Sequence, residues 1–233
     1  MNGAKLRARL QAGEPITMFT PHHSSSGLAA RLVELGADSV FVDCEHGTWS
    51  FEDVRETAQI VRSVGGAAII RPHSHERPII IRYLNAGADG IMVPMVDNAD
   101  EARAIVEAVR YALPADHEKR LVVAMIETVE AIGNLDEIAR VEGIDVFFIG
   151  PGDLSQDMGL PPAPAFGEPR PAEVREKVAE AVGKIRSAGK IAGTLVTADE
   201  LPEWLEKGVQ FFYIHSDPFL RRGIAAIRQT LAR

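Results

Sequence analysis

The sequence holds one cysteine, Cys44, which excludes a disulfide within the chain and fits a reducing, cytoplasmic setting. It has no apolar run of the roughly 18 residues that a membrane span needs. The segment "MNGAKLRARLQAGEP" brings basic residues but no apolar stretch behind them, so it does not read as a secretory signal. Basic residues are fewer than acidic ones (25 against 33, net charge −8) and scattered, so the sequence presents no basic stripe for nucleic acid. There is no low-complexity tract and no linker, so residues 1–233 read as a single domain. What remains is ordinary globular composition, 46% hydrophobic and 25% charged.

Short apolar runs alternate with amphipathic stretches along the chain. The runs are "ITMFT" (16–20), "SVFVD" (39–43), "AAIIR" (67–71), "GIMVPMV" (90–96), "LVVAMIE" (121–127), "DVFFIG" (145–150), "IAGTLV" (191–196) and "FFYIH" (211–215). Each is followed by a helical pattern, and "ELGAD", "NAGAD", "VEGID", "SAGK" and "EKGVQ" place a glycine where a helix ends before the next strand. Continuous apolar strands alternating with helices of period 3.6 predict a parallel sheet covered by helices. Eight such units in one chain predict a (β/α)8 TIM barrel. The Pro-rich stretch 160–171 reads as a loop, because the strand-helix rhythm resumes after it. The last helix, about 218–233, carries Phe219, Leu220, Ile224, Ile227 and Leu231; it can cover the barrel or pack on a neighbouring subunit.

In such barrels the chemistry gathers at the C-terminal strand ends. Those ends carry "TPHHSSS", "DCEHG", Arg71 with "PHSH", "VPMVDN", Glu127, Asp153 and "HSD". Glu127 and Asp153 close neighbouring strands, and two carboxylates with waters and substrate oxygens suit Mg²⁺, Mn²⁺ or Co²⁺. The competing readings are a helix cap for Asp153 and a rim ion pair for Glu127. Arg71 ends a buried strand, so it needs a partner. A planar guanidinium can hold the oxygens of a 2-oxo acid, or form a structural ion pair with Asp43 or Glu45. His46 is a candidate general base, an imidazole having its pKa near 6.5; a surface histidine is the alternative. His22, His23, His73, His75 and His215 lie at the same face without ligand spacing, and His117 lies at the other face.

The blocks "VFVDCEHG", "IIR", "YLNAGADGIMVPMVDNADEA", "MIETVEAIGNLDEIARVEGIDVFFIGPGDLSQDMG" and "GKIAGTLV" resemble the HpcH/HpaI aldolase family, from about residue 16 to 220. The resemblance implies a (β/α)8 TIM barrel of the phosphoenolpyruvate/pyruvate-domain type and a metal-dependent class II pyruvate aldolase, of the type that acts on 4-hydroxy-2-oxoheptanedioate or 2-dehydro-3-deoxyglucarate. Glu127 and Asp153 would hold the metal, and Arg71 would contact the keto oxygen of pyruvate. His46 would act as acid/base, with Asp43 and Glu45 supporting it. Backbone around Gly152, Asp153 and Leu195 would bind the carboxylate. It also implies a homo-oligomer, hexamer or trimer, with C-terminal helix exchange. In this sequence Asn85 stands where the family has an aspartate paired with the catalytic histidine. The segment 112–120 is short, and Met125 replaces a polar residue. Two alternatives share the barrel: an acyl-CoA lyase of the citrate-lyase β-subunit type, and a non-catalytic barrel that binds a 2-oxo acid. A binuclear amidohydrolase is excluded by its motifs, since "HSH" (73–75) follows strand three and the histidines and lysine of that class are missing from their strands.

Overall fold

The computed structural model describes residues 1–161 and 170–232. In chain order the elements are α1 (Gly3–Gln11), β1 (Ile16–Thr20), α2 (Ser26–Glu34), β2 (Ser39–Asp43), α3 (Phe51–Ser63), β3 (Ala67–Arg71), α4 (Arg77–Asn85), β4 (Gly90–Val93) and α5 (Ala99–Ala112). They continue as β5 (Leu121–Ile126), α6 (Val129–Gly133), α7 (Leu135–Ile138), β6 (Val146–Ile149), α8 (Pro151–Asp157), α9 (Ala172–Ser187), β7 (Ile191–Leu195), α10 (Leu201–Glu206), β8 (Phe211–His215) and α11 (Asp217–Leu231). All strand pairs are parallel and the sheet closes in sequence order, β8 returning to β1 with Thr20 opposite His215. The expected (β/α)8 barrel is the observed one. The Pro-rich loop reading at 160–171 falls mostly on residues outside those described.

Alternation along each strand builds two apolar layers. Met18, Phe41, Ile69, Val123, Phe148 and Phe211 fill the barrel, while Val40, Ile70, Ala124, Phe147 and Phe212 face the helices. Local chemistry sets the helix starts. Ser50 and Asp53 form a reciprocal capping box at α3, and Asn98 and Thr128 accept backbone N–H groups at the starts of α5 and α6. Two of the expected helix-end glycines, Gly36 and Gly87, have φ of +113° and +108°, conformations that a side chain would strain.

The structure shortens one strand of the sequence reading markedly and adds a helix that the reading did not assign. The fourth strand stops at Val93 instead of running to 96, because Pro94 has no N–H for the ladder and Met95 turns left-handed (φ +54°). The added helix is α1, whose Leu6 and Leu10 are buried against the barrel's N-terminal end. Arg7 ties α1 down by donating to both oxygens of Asp145, at 2.5 and 2.8 Å, and to the Glu118 carbonyl at 2.5 Å. No helix among the described residues is long and apolar enough to cross a membrane.

Candidate active site at the C-terminal barrel mouth

Extending the inward alternation past the strands brings Asp43, Arg71, Glu127, Gly150, Leu195 and His215 to the barrel's C-terminal mouth. At its centre Arg71 is buried (7% exposed). It donates to both oxygens of Asp43, at 2.9 and 2.7 Å, and its third nitrogen lies 3.0 Å from Glu45. The ion-pair reading of Arg71 is therefore part of the arrangement, and the guanidinium lies over Phe41, 5.4 Å from the ring centre. Burial alone would lift the Asp43 carboxyl; the hydrogen bonds and charge of Arg71 outweigh it and hold the group below its ordinary range. Glu45 goes the other way, raised by burial that Arg71 only partly offsets.

Asp43 also builds the loop that follows it. Its Oδ1 accepts from the backbone N–H of Glu45 (3.1 Å) and of His46 (3.3 Å), and a side chain at Gly47 would run into the Asp43 carbonyl. The turn leaves the His46 ring 64% exposed, 3.8 Å from Glu45. Asp43 thus meets His46 through the backbone, and Glu45 is the acid that faces its ring.

Glu127 is 1% exposed. Its Oε1 accepts the N–H of Met95 at 2.8 Å, and its Oε2 is buried without a hydrogen-bond partner. Burial, and then the carboxylate of Asp153, push the Glu127 carboxyl up to about 8 despite the Met95 hydrogen bond. Asp153 stands in the first turn of α8 and makes no cap there; the N-cap is Gly150, which approaches Glu127 too closely for any side chain. A buried carboxylate oxygen with no donor, beside a second carboxylate, fits a hard divalent cation. Among the described residues no cluster of three or more His, Cys, Asp or Glu residues competes for that role. Gly152 is also in the first turn of α8, and Leu195 ends β7, so their backbones border the same mouth.

One expected site residue lies elsewhere. Asn85 ends α4 and is exposed next to the loop into β4, at the N-terminal end of the barrel, so within this chain it does not orient His46. The short segment 112–120 lies at that same end, where Glu118 meets Arg7 of α1, and does not border the mouth. Met95 is the residue the sequence reading missed; the Pro94 break in an apolar run was its signal. His215 was noticed only as an unplaced histidine, although the alternation of "FFYIH" points it inward.

The sequence profile of the HpcH/HpaI aldolase/citrate lyase family matches residues 16–218. The chain belongs to the HpcH/HpaI aldolase/citrate lyase family. A Shigella sonnei relative named 4-hydroxy-2-oxo-heptane-1,7-dioate aldolase is 33% identical over 238 residues, covering 92% of this chain and 89% of the relative. A family member from Burkholderia cenocepacia superposes with a TM-score of 0.88 at 21% identity, covering 99% of this chain and 100% of that one. The citrate synthase SbnG superposes with a TM-score of 0.85 at 27% identity, covering 97% of each chain.

Proposed function

We propose that this HpcH/HpaI family member is a divalent-metal-dependent pyruvate aldolase, a carbon–carbon lyase that cleaves or forms a 4-hydroxy-2-oxo acid. The observation that carries the reading is the buried, donorless oxygen of Glu127 beside Asp153, in the same mouth as Arg71. Glu127 and Asp153 would hold Mg²⁺, Mn²⁺ or Co²⁺, which supplies Lewis acidity toward the oxygens of the 2-oxo acid.

The chain's own groups do the rest. In cleavage the C4 hydroxyl gives up its proton, the C3–C4 bond breaks, and its electron pair passes into the enolate of pyruvate as the aldehyde leaves. Protonation at C3 then gives pyruvate. Arg71, fixed by Asp43 and Glu45, places positive charge where the enolate oxygen gains density, at no cost in reorganisation. The backbone at Gly152, Asp153 and Leu195 borders the place for the carboxylate. His46, with Glu45 beside its ring, takes the hydroxyl proton and returns it.

Further parts of the reading concern setting and assembly. The sole cysteine is buried and unpaired, in keeping with a cytoplasmic protein. Helix α11 has no buried residue, and its Leu220, Ile224, Ile227 and Leu231 are 59–81% exposed, which supports burial against a second copy of the chain in a homo-oligomer.

The test is exchange of the pyruvate methyl protons with D₂O, followed by NMR. Exchange that requires an added divalent metal is expected. Absence of exchange with Mg²⁺, Mn²⁺ and Co²⁺ alike would overturn the aldolase reading.

A further inference from the structure

Side chains tie the strand ends around the mouth to one another. At the β8–β1 seam His22 leaves β1 in a left-handed turn, φ +57°, with its Nε2 2.5 Å from His215 Nδ1, and Ser216 Oγ donates to the Thr20 carbonyl at 2.6 Å. The end of β5, which carries Glu127, is tied on both sides. Toward β4, the Met95 N–H holds Glu127 Oε1 at 2.8 Å, the Val96 N–H donates to the Met125 carbonyl at 3.1 Å, and Thr128 Oγ1 donates to Asp97 Oδ1 at 2.5 Å. Asp97 is fixed in turn: its N–H is donated to Glu101 at 2.7 Å and its carbonyl accepts from Asn134 Nδ2 at 2.9 Å.

On the β6 side, the Gly150 N–H donates to the Ile126 carbonyl at 3.1 Å, and one side-chain bond follows. Asp157 Oδ2 accepts the N–H of Val129 at 2.6 Å. Val129 comes two residues after Glu127, and Asp157 comes four residues after Asp153, one turn on along the same face of α8. The helix that carries one carboxylate of the pair therefore grips the segment that carries the other. Among the described residues, this is the hydrogen bond by which an α8 side chain reaches the end of β5; Ser155 Oγ, donating to the Pro161 carbonyl at 2.6 Å, holds α8 to the chain that follows it.

Local needs do not account for Asp157. Helix α6 has its own cap, Thr128 accepting the Ala131 N–H at 2.9 Å. An acid in the last turn of α8 faces the negative end of the helix dipole, so it gives α8 itself nothing. Nor does Asp157 enlarge the ligand set, since the described residues hold no cluster of three or more His, Cys, Asp or Glu.

We infer that Asp157 is a positioning residue of the metal site: its bond to the Val129 N–H ties α8 to the end of β5 and so sets the spacing at which Asp153 and Glu127 meet a divalent cation. The inference rests on the metal-dependent aldolase reading. Groups that orient metal ligands from behind contribute to affinity through geometry, without touching the ion.

The experiment is titration calorimetry with Mn²⁺ on the whole chain, comparing the unsubstituted protein with Asp157→Ala and Asp157→Asn. The Kd is expected to rise by about tenfold or more in Asp157→Ala. Asp157→Asn keeps an amide oxygen that can accept the Val129 N–H, and is expected to bind nearly as tightly as the unsubstituted protein. The fitted Kd does not depend on the folded fraction, which enters as stoichiometry. A merely structural Asp157 would lower the unfolding temperature of the metal-free variant and leave the Kd unmoved. An unchanged Kd in Asp157→Ala would overturn the inference, as would an equal loss in both variants, because the charge and not the hydrogen bond would then be acting. Tight Mn²⁺ binding by the unsubstituted protein with either of those results sinks the inference alone; no Mn²⁺ binding by the unsubstituted protein sinks the metal-dependent reading beneath it as well.

Discussion

Met95 and Glu127 are joined by one hydrogen bond that saturates half of a carboxylate: the Met95 N–H reaches Oε1 at 2.8 Å, and Oε2 is left buried and donorless. An orphaned anionic oxygen costs stability unless it is protonated or meets a cation. Glu127→Gln removes the charge and keeps the shape. Loss of a direct ligand should weaken Mn²⁺ binding at least as much as loss of a supporting residue does, by roughly a hundredfold or more. Titration calorimetry with Mn²⁺ checks this, and thermal unfolding of the metal-free variant should show no loss of stability.

The same carboxyl makes stability depend on pH. Its pKa is raised from 4.5 to about 8 in the fold, so the folded state favours the protonated form. That contribution is fully present below pH 4.5 and is lost as pH rises through about 8. The difference in unfolding temperature between the metal-free protein and Glu127→Gln should therefore shift toward the variant across that window. Metal binding needs the carboxylate, so Mn²⁺ affinity should rise with pH over the same range and release a proton.

The buried guanidinium of Arg71 pairs with two partly buried acids, Asp43 and Glu45. Arg71→Met leaves both acids without their partner, and a broken buried ion pair costs about 3–5 kcal/mol. Urea unfolding should show a loss of that order. Arg71→Lys should recover part of the stability, yet pyruvate proton exchange should stay depressed, because an ammonium cannot grip a carboxylate through two parallel bonds while facing a substrate oxygen.

His46 is exposed and touches no residue of the metal pair, so His46→Ala should leave Mn²⁺ affinity intact. Loss of a general acid/base should slow aldol cleavage by roughly 10²–10⁴. Equal cleavage rates in the two proteins would remove His46 from the reaction.

Helix α11 exposes Ile224 (59%) and Ile227 (63%) on one face. Ile224→Asp puts a charge on the surface proposed to meet another copy. Light scattering should report a lower mass for the variant, with the far-ultraviolet signal of the barrel unchanged.

Alternating apolar strands and glycine-ended helices carry the eightfold rhythm in the sequence itself, because a parallel strand buried on both faces must be apolar throughout and the helix after it apolar on one face. The same rhythm brings Asp43, Arg71, Glu127 and Asp153 to one end of the barrel before any coordinate is known. Only the tertiary structure decided how these groups divide their labour. Asp43 is spent on Arg71 and on its own loop, Glu45 is shared between Arg71 and the His46 ring, and Asn85 stands at the far end of the barrel. It also joined His22 to His215, two residues almost a whole chain apart that meet where β8 closes on β1. Spacing along a chain fixes which strand end a residue occupies. Which partner its side chain finds depends on barrel closure and on turns such as those at His22 and Met95, and neither is local.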